Sequence, residues 1–122
     1  MFETELRSIC SAVQGAVAAS VMGNDGIPLT AYTVEGTQDD GVDVSSLLIE
    51  YSSLISQVQR SAQMFAAGGL EELSITSERL TMVIRPVTGE YFVALAMRKA
   101  ANSGKGRYLL RIHAPRFAGE LS

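Results

Sequence analysis

Apolar residues return along the first thirteen positions at steps of four, three and four: Phe2, Leu6, Ile9 and Val13. That spacing lines one face of a helix, and Gly15, which tolerates the left-handed conformation, closes it. The pattern then changes. Ala16 to Met22 is apolar or small at nearly every position, and Gly23-Asn24-Asp25-Gly26 is turn chemistry ahead of Ile27 to Val34, so the two segments predict a β-hairpin. Pro28 has no amide hydrogen to donate, which places the second strand at a sheet edge.

Glu35 to Gly41 is polar and glycine-bearing, a loop, and Asp43 stands where it can cap a following helix. From there Val44, Leu47, Leu48, Tyr51, Leu54, Ile55, Val58, Ala62, Phe65 and Ala66 fall within one stripe about 120° wide at the helical repeat. Gly68-Gly69 ends this long helix. Leu70 to Thr76, Leu80 to Val87 and Tyr91 to Arg98 read as strands, and the short links Ser77-Glu78-Arg79 and Thr88-Gly89-Glu90 make both connections antiparallel turns. In the last of these strands Tyr91, Val93, Leu95 and Met97 alternate with Phe92, Ala94 and Ala96. Both its faces must be covered, as must those of Ala16 to Met22, so these two strands are central and helices cover both sides of the sheet.

Asn102-Ser103-Gly104-Lys105-Gly106 breaks the pattern. For Arg107 to Ala114, Tyr108, Leu109 and Ile112 suit a helix whereas Tyr108, Leu110 and Ile112 suit a strand; the helix is preferred, with Pro115 ending or kinking it. The element order is then α-β-β-α-β-β-β-α, an α/β (α+β) arrangement. At 122 residues the chain is about the length of one domain spanning positions 1–122.

Charge sharpens the picture. Residues 1 to 59 hold eight acids against one base, Arg7, while residues 91 to 119 hold no acid and six bases: Arg98, Lys99, Lys105, Arg107, Arg111 and Arg116. Either these are solvated surface residues or Lys105, Arg107, Arg111 and Arg116 form a basic face for an acidic partner protein. A pI of about 5.1 opposes nucleic acid as that partner. No apolar run approaches the roughly 20 residues needed to span a bilayer, so membrane insertion is not expected. Met1-Phe2-Glu3-Thr4-Glu5 opens with acids where a secretory signal carries bases. The single cysteine, Cys10, reads as a small core residue. A reducing, cytoplasmic setting is the expectation.

Catalytic chemistry is sparse. His113 is the one histidine, no acid lies within its charge block, and it reads as an exposed residue at a helix end. Two Cys or His residues in all are too few for a zinc site. Asp39, Asp40 and Asp43 lack the alternation of an EF-hand loop and are better read as loop polarity and a cap. Gly104-Lys105-Gly106 is not a phosphate loop, because a Walker motif needs glycine five residues before the lysine and Ser or Thr after it, where Ala100 and Gly106 stand. The expectation is a protein without enzyme activity, metal or cofactor.

Binding chemistry is better represented. From Val44 to Ala67 there are 24 residues and two charges, Glu50 and Arg60. Away from the core stripe lie Ile49, Ser53, Ser56, Arg60 and Met64, small residues with an occasional large apolar one, which suit close packing against another helix better than a solvated face. Leu73 and Ile75 alternate with polar residues in the next strand, which carries no proline to block pairing. As a second sheet edge it could pair with another copy, giving a homodimer through these seven residues.

The motifs Asn24-Asp25-Gly26, Gly68-Gly69-Leu70-Glu71 and Asn102-Ser103-Gly104, in this order around a long central helix, resemble those of the roadblock/dynein light chain family over nearly the whole chain. Gly104-Lys105-Gly106-Arg107-Tyr108-Leu109-Leu110-Arg111 with Ala114-Pro115 is most similar to the family's bacterial gliding-motility branch. The resemblance implies a five-stranded antiparallel sheet in order 2-1-5-4-3, the first and last helices on one face and the long helix on the other, in a homodimer paired through the long helix and third strand. It also implies service to Ras-like small GTPases in cell polarity and motility. The partner is then an MglB-like activator, a polarity protein or the GTPase itself. MglB-type activators commonly continue into a longer C-terminal segment, whereas this chain ends seven residues after Pro115, which favours a non-catalytic adaptor or scaffold. Direct activation of the GTPase and a small-ligand sensor are the alternatives.

Overall fold

The structure is a computed structural model that describes residues 2–36 and 41–121. Its elements run α1 (Phe2–Ala12), β1 (Ala16–Gly23), β2 (Pro28–Thr33), α2 (Val44–Met64), β3 (Leu73–Thr76), β4 (Leu80–Pro86), β5 (Tyr91–Arg98) and α3 (Ser103–Leu121). The strands form one antiparallel sheet in order β2-β1-β5-β4-β3. The doubly apolar β1 and β5 lie inside the sheet and β2, with Pro28, lies at an edge, as the residue pattern requires.

Alternation along the strands divides the core in two. Leu6 and Ile9 of α1 and Leu110 and Phe117 of α3 pack with Val21, Val93, Leu95 and Met97 on one face. Leu48 and Ile55 of α2 pack with Met22, Met82, Ile84 and Phe92 on the other. Cys10 belongs to the first cluster, and burial pushes its thiol up to about 12. It stays a protonated, small core residue.

Asp43 caps α2: its carboxylate accepts from the Ser46 amide at 3.1 Å and the Ser46 hydroxyl at 2.7 Å, which holds its pKa below the usual value. Asp39 and Asp40 lie outside the described residues. The far end of α2 departs from expectation. The helix stops at Met64 rather than at Gly68-Gly69, and Ala66 takes the left-handed conformation (φ 61°). The buried stripe is also narrower, with Leu48, Ser52 and Ile55 buried while Leu54 and Phe65 are 40% and 78% exposed. A helix seated on a sheet covers only its inner arc, and apolar residues on its flanks are left outside. β3 likewise begins at Leu73, three residues later than expected.

The largest correction concerns α3. Residues 102–106 are expected to break the pattern and Pro115 to end or kink the helix, but the Asn102 side chain accepts from the Lys105 amide at 3.0 Å, making it the N-cap, and the helix continues through Pro115 to Leu121. Gly106 is buried in the first turn because any Cβ there would stand 2.7 Å from Met97 Sδ and 2.9 Å from Leu95 Cδ2. The glycine is therefore a point of close helix-to-sheet contact, not a break. His113, expected to be exposed, is buried in the α1–α3 interface, where its Nδ1 meets a Glu5 carboxylate oxygen and Arg116 lies 3.5 Å from the other.

Candidate functional site

Two surfaces gather the residues singled out above. The first lies around α2 and β3. Ser77 donates its amide to the Leu80 carbonyl at 2.8 Å, so residues 77 and 80 are a hydrogen-bonded pair. Antiparallel ladders alternate, so Ile75, opposite Met82, and Leu73, opposite Ile84, also direct their backbone groups at β4. The backbone of Ser74 and Thr76 then points to the open edge. The side chains of Leu73 and Ile75 are half-buried against the α2-side core.

The proposed partner face of α2 is not a single unit with that edge. Ile49 lies against the β1–β2 hairpin, within reach of Gly26, and lines a groove with Pro28 and Ala31 of β2. Gln59, on the same side of the helix, accepts from Asn24 Nδ2 at 3.3 Å. The stripe Ile49, Ser53, Ser56, Arg60 and Met64 therefore runs along the flank toward β2 and out to solvent, with Ser56 half-buried and the other four exposed. At one hundred degrees per residue Leu54 and Phe65 fall on the opposite flank, turned toward β3. These two large exposed side chains are the residues that sequence reasoning missed as surface. Both fit the apolar stripe, and hydrophobicity alone does not distinguish a core-facing position from a flank beside an open sheet edge.

The groove between α2 and β2 has a volume of about 330 Å³ and an apolar lining that includes Val17, Met22, Ala31, Leu48 and Ile49. Asp43 also lines it, but its oxygens are committed to Ser46. Ser20, Thr33 and Ser45 are its other polar lining residues.

The second surface is the outer side of α3. Here the four basic residues divide. Arg107 is held by Glu72, with Nε at 2.9 Å and Nη2 at 2.7 Å from the same carboxylate oxygen, and this contact raises its pKa. Arg116 lies beside Glu5. Arg111 places its guanidinium over the Tyr108 ring, 5.5 Å from the centroid, and Lys105 is exposed in the first turn. Tyr108 and Ile112 are also exposed.

Among the described residues, neither Cys10 nor His113 stands in a catalytic arrangement. Cys10 is buried and protonated, and the imidazole of His113 is occupied within the α1–α3 interface by an acid from α1 that lies 108 positions away in sequence. Among the described residues no group of three His, Cys, Asp or Glu could hold a metal ion, and no helix is long and apolar enough to cross a membrane.

Among solved structures, the chain is 37% identical to MglC from Myxococcus xanthus, with 98% of each chain covered and a TM-score of 0.71. It also matches MglB from Thermus thermophilus at 15% identity, covering 95% of this chain and 84% of that one, with a TM-score of 0.82. A roadblock/LC7 domain from Streptomyces avermitilis matches at 11% identity, with 98% and 96% covered and a TM-score of 0.81. The last two show a shared fold. No family model and no curated protein matches the chain.

Proposed function

The chain belongs to the roadblock/dynein light chain family, in its MglC-like gliding-motility branch, and from that premise we propose that it is a non-catalytic homodimeric adaptor in a Ras-like small-GTPase module. In this reading the module governs bacterial cell polarity and motility from the cytoplasm, and the adaptor binds an MglB-like activator or a polarity protein. The observation that carries the reading is the likeness to MglC over 98% of both chains. The geometry supports it through an open β3 edge beside an apolar flank of α2, a surface for assembly, and through a shortage of catalytic groups.

The proposed dimer joins β3 to the β3 of a second copy and packs Leu54 and Phe65 across the two-fold axis. The α2 stripe from Ile49 to Met64 then remains on the outer, β2-facing side. A second reading, direct activation of the GTPase, draws support from α3, which runs uninterrupted through Pro115 to Leu121 where an end or a kink was expected.

Purified chain mixed with the MglB-like protein and the small GTPase of its own organism, then separated by size exclusion with light scattering, tests the adaptor reading. A stable complex with the MglB-like protein is expected. Co-elution with neither protein at micromolar concentrations would refute the reading.

A further inference from the structure

We propose that the outer midline of α3, built from Tyr108 and Ile112 and flanked by Lys105 and Arg111, docks an acidic amphipathic helix of a partner protein. This deepens the adaptor reading and rests on it. The internal ion pairs decide which bases remain available. Glu72 takes Arg107 and Glu5 takes Arg116, whereas among the described residues neither Lys105 nor Arg111 has an acidic partner.

Helix physics gives the second argument. Backbone amides at a helix start favour acids, and α1 obeys with Glu3 and Glu5 in its first turn. α3 does the reverse: its first turn holds no acid, and Lys105 occupies the third helical position after the Asn102 cap, where Glu or Gln would close a capping box. A lysine there works against local folding, and positions that break a local rule are where a functional demand is expected.

Shape supplies the anchor. Tyr108 is 52% and Ile112 44% exposed, one turn apart on the side opposite buried Leu110 and Phe117. Arg111 over the Tyr108 ring holds a planar cation beside an apolar surface, a combination that receives a carboxylate and an aliphatic side chain together. α3 and α2 lie on opposite faces of the sheet, so a second copy packed on α2 does not cover the outer midline of α3. The two cations at this surface, Lys105 and Arg111, on a chain of net charge −3, are too few for an anionic bilayer, which favours a protein.

The test uses the full-length chain and a labelled helical peptide with a central Leu flanked by Glu one turn away on each side. Binding is measured at low salt. Wild-type protein should bind it, and the double variant Lys105→Glu/Arg111→Glu should bind about tenfold more weakly. The variant Tyr108→Ala/Ile112→Ala should lose affinity comparably. Lys105→Glu alone completes the capping box, so its melting temperature should hold or rise while its binding falls, which separates docking from folding. Three results would each overturn the proposal: no binding of the peptide by wild type, equal binding by the charge variant, or tighter binding to phosphatidylserine vesicles than to the peptide with loss in the same variants. None of these results bears on the complex with the MglB-like protein, so failure of the α3 proposal and failure of the adaptor reading remain distinguishable.

Discussion

Replacing Ser74 by proline is expected to convert the proposed dimer into a monomer without unfolding the domain. The Ser74 amide points to the open edge of the sheet, away from β4, so its loss leaves the internal ladder intact. Across a two-fold axis each lost hydrogen bond is lost twice. At about 1 kcal/mol net per bond this weakens association by about 2 kcal/mol, or roughly 30-fold in Kd, before any clash from the proline ring is added. Leu54→Glu attacks the same interface from the helix by bringing two carboxylates together in a desolvated contact, a cost of several kcal/mol. Sedimentation equilibrium should report a mass near twice the 13.0 kDa of the chain for wild type and near 13.0 kDa for both variants at micromolar concentration. If wild type is monomeric, or if both variants remain dimeric, the interface lies elsewhere.

Gly106→Val should be strongly destabilising. A Cβ at this position meets Met97 Sδ at 2.7 Å, Leu95 Cδ2 at 2.9 Å and Met97 Cε at 3.0 Å, so two fully buried side chains must shift to admit it. Helix propensity alone favours replacing glycine by up to about 1 kcal/mol, but overpacking of a filled core costs about 1–3 kcal/mol and a branched residue lies at the upper end. The net expectation is about 2–3 kcal/mol, lowering the melting temperature by roughly 10 °C. Gly104, one position before Lys105, gives the contrast. Its Cβ would meet only the Asn102 side-chain oxygen at 3.4 Å, so Gly104→Ala should be neutral or stabilising by up to about 1 kcal/mol. Thermal denaturation of both variants decides the matter, and equal melting temperatures would contradict the close contact of α3 with β5.

These two positions also show what a linear pattern carries. β5 was legible to the residue, Tyr91–Arg98, because apolar side chains on both alternating sets force a strand into the middle of a sheet. The capped start of α2 was legible for a similarly local reason, Asp43 before a helical stripe. The start of α3 was not, since a glycine required by a neighbouring strand has the same letter as a glycine that breaks a helix. His113 was misplaced for a related reason. Its acidic partner, Glu5, sits 108 positions away on α1, and only the packing of the two helices brings them together. The same limit applies to the interaction surfaces. Charge asymmetry drew attention to α3, but Glu72 and Glu5, which claim Arg107 and Arg116, come from distant parts of the chain. Leu54 on α2 and Phe65 at its C-cap are exposed, but both belong to the apolar repeat and so read as core.

The adaptor reading stands or falls with what the chain does to GTP hydrolysis. Single-turnover hydrolysis by the organism's small GTPase should be followed alone, with this chain, with the MglB-like protein, and with both. The chain by itself should leave the rate unchanged, and it should alter the rate only when the MglB-like protein is present. Acceleration of hydrolysis by the chain alone, saturating with its concentration, would contradict the adaptor account and establish direct activation in its place.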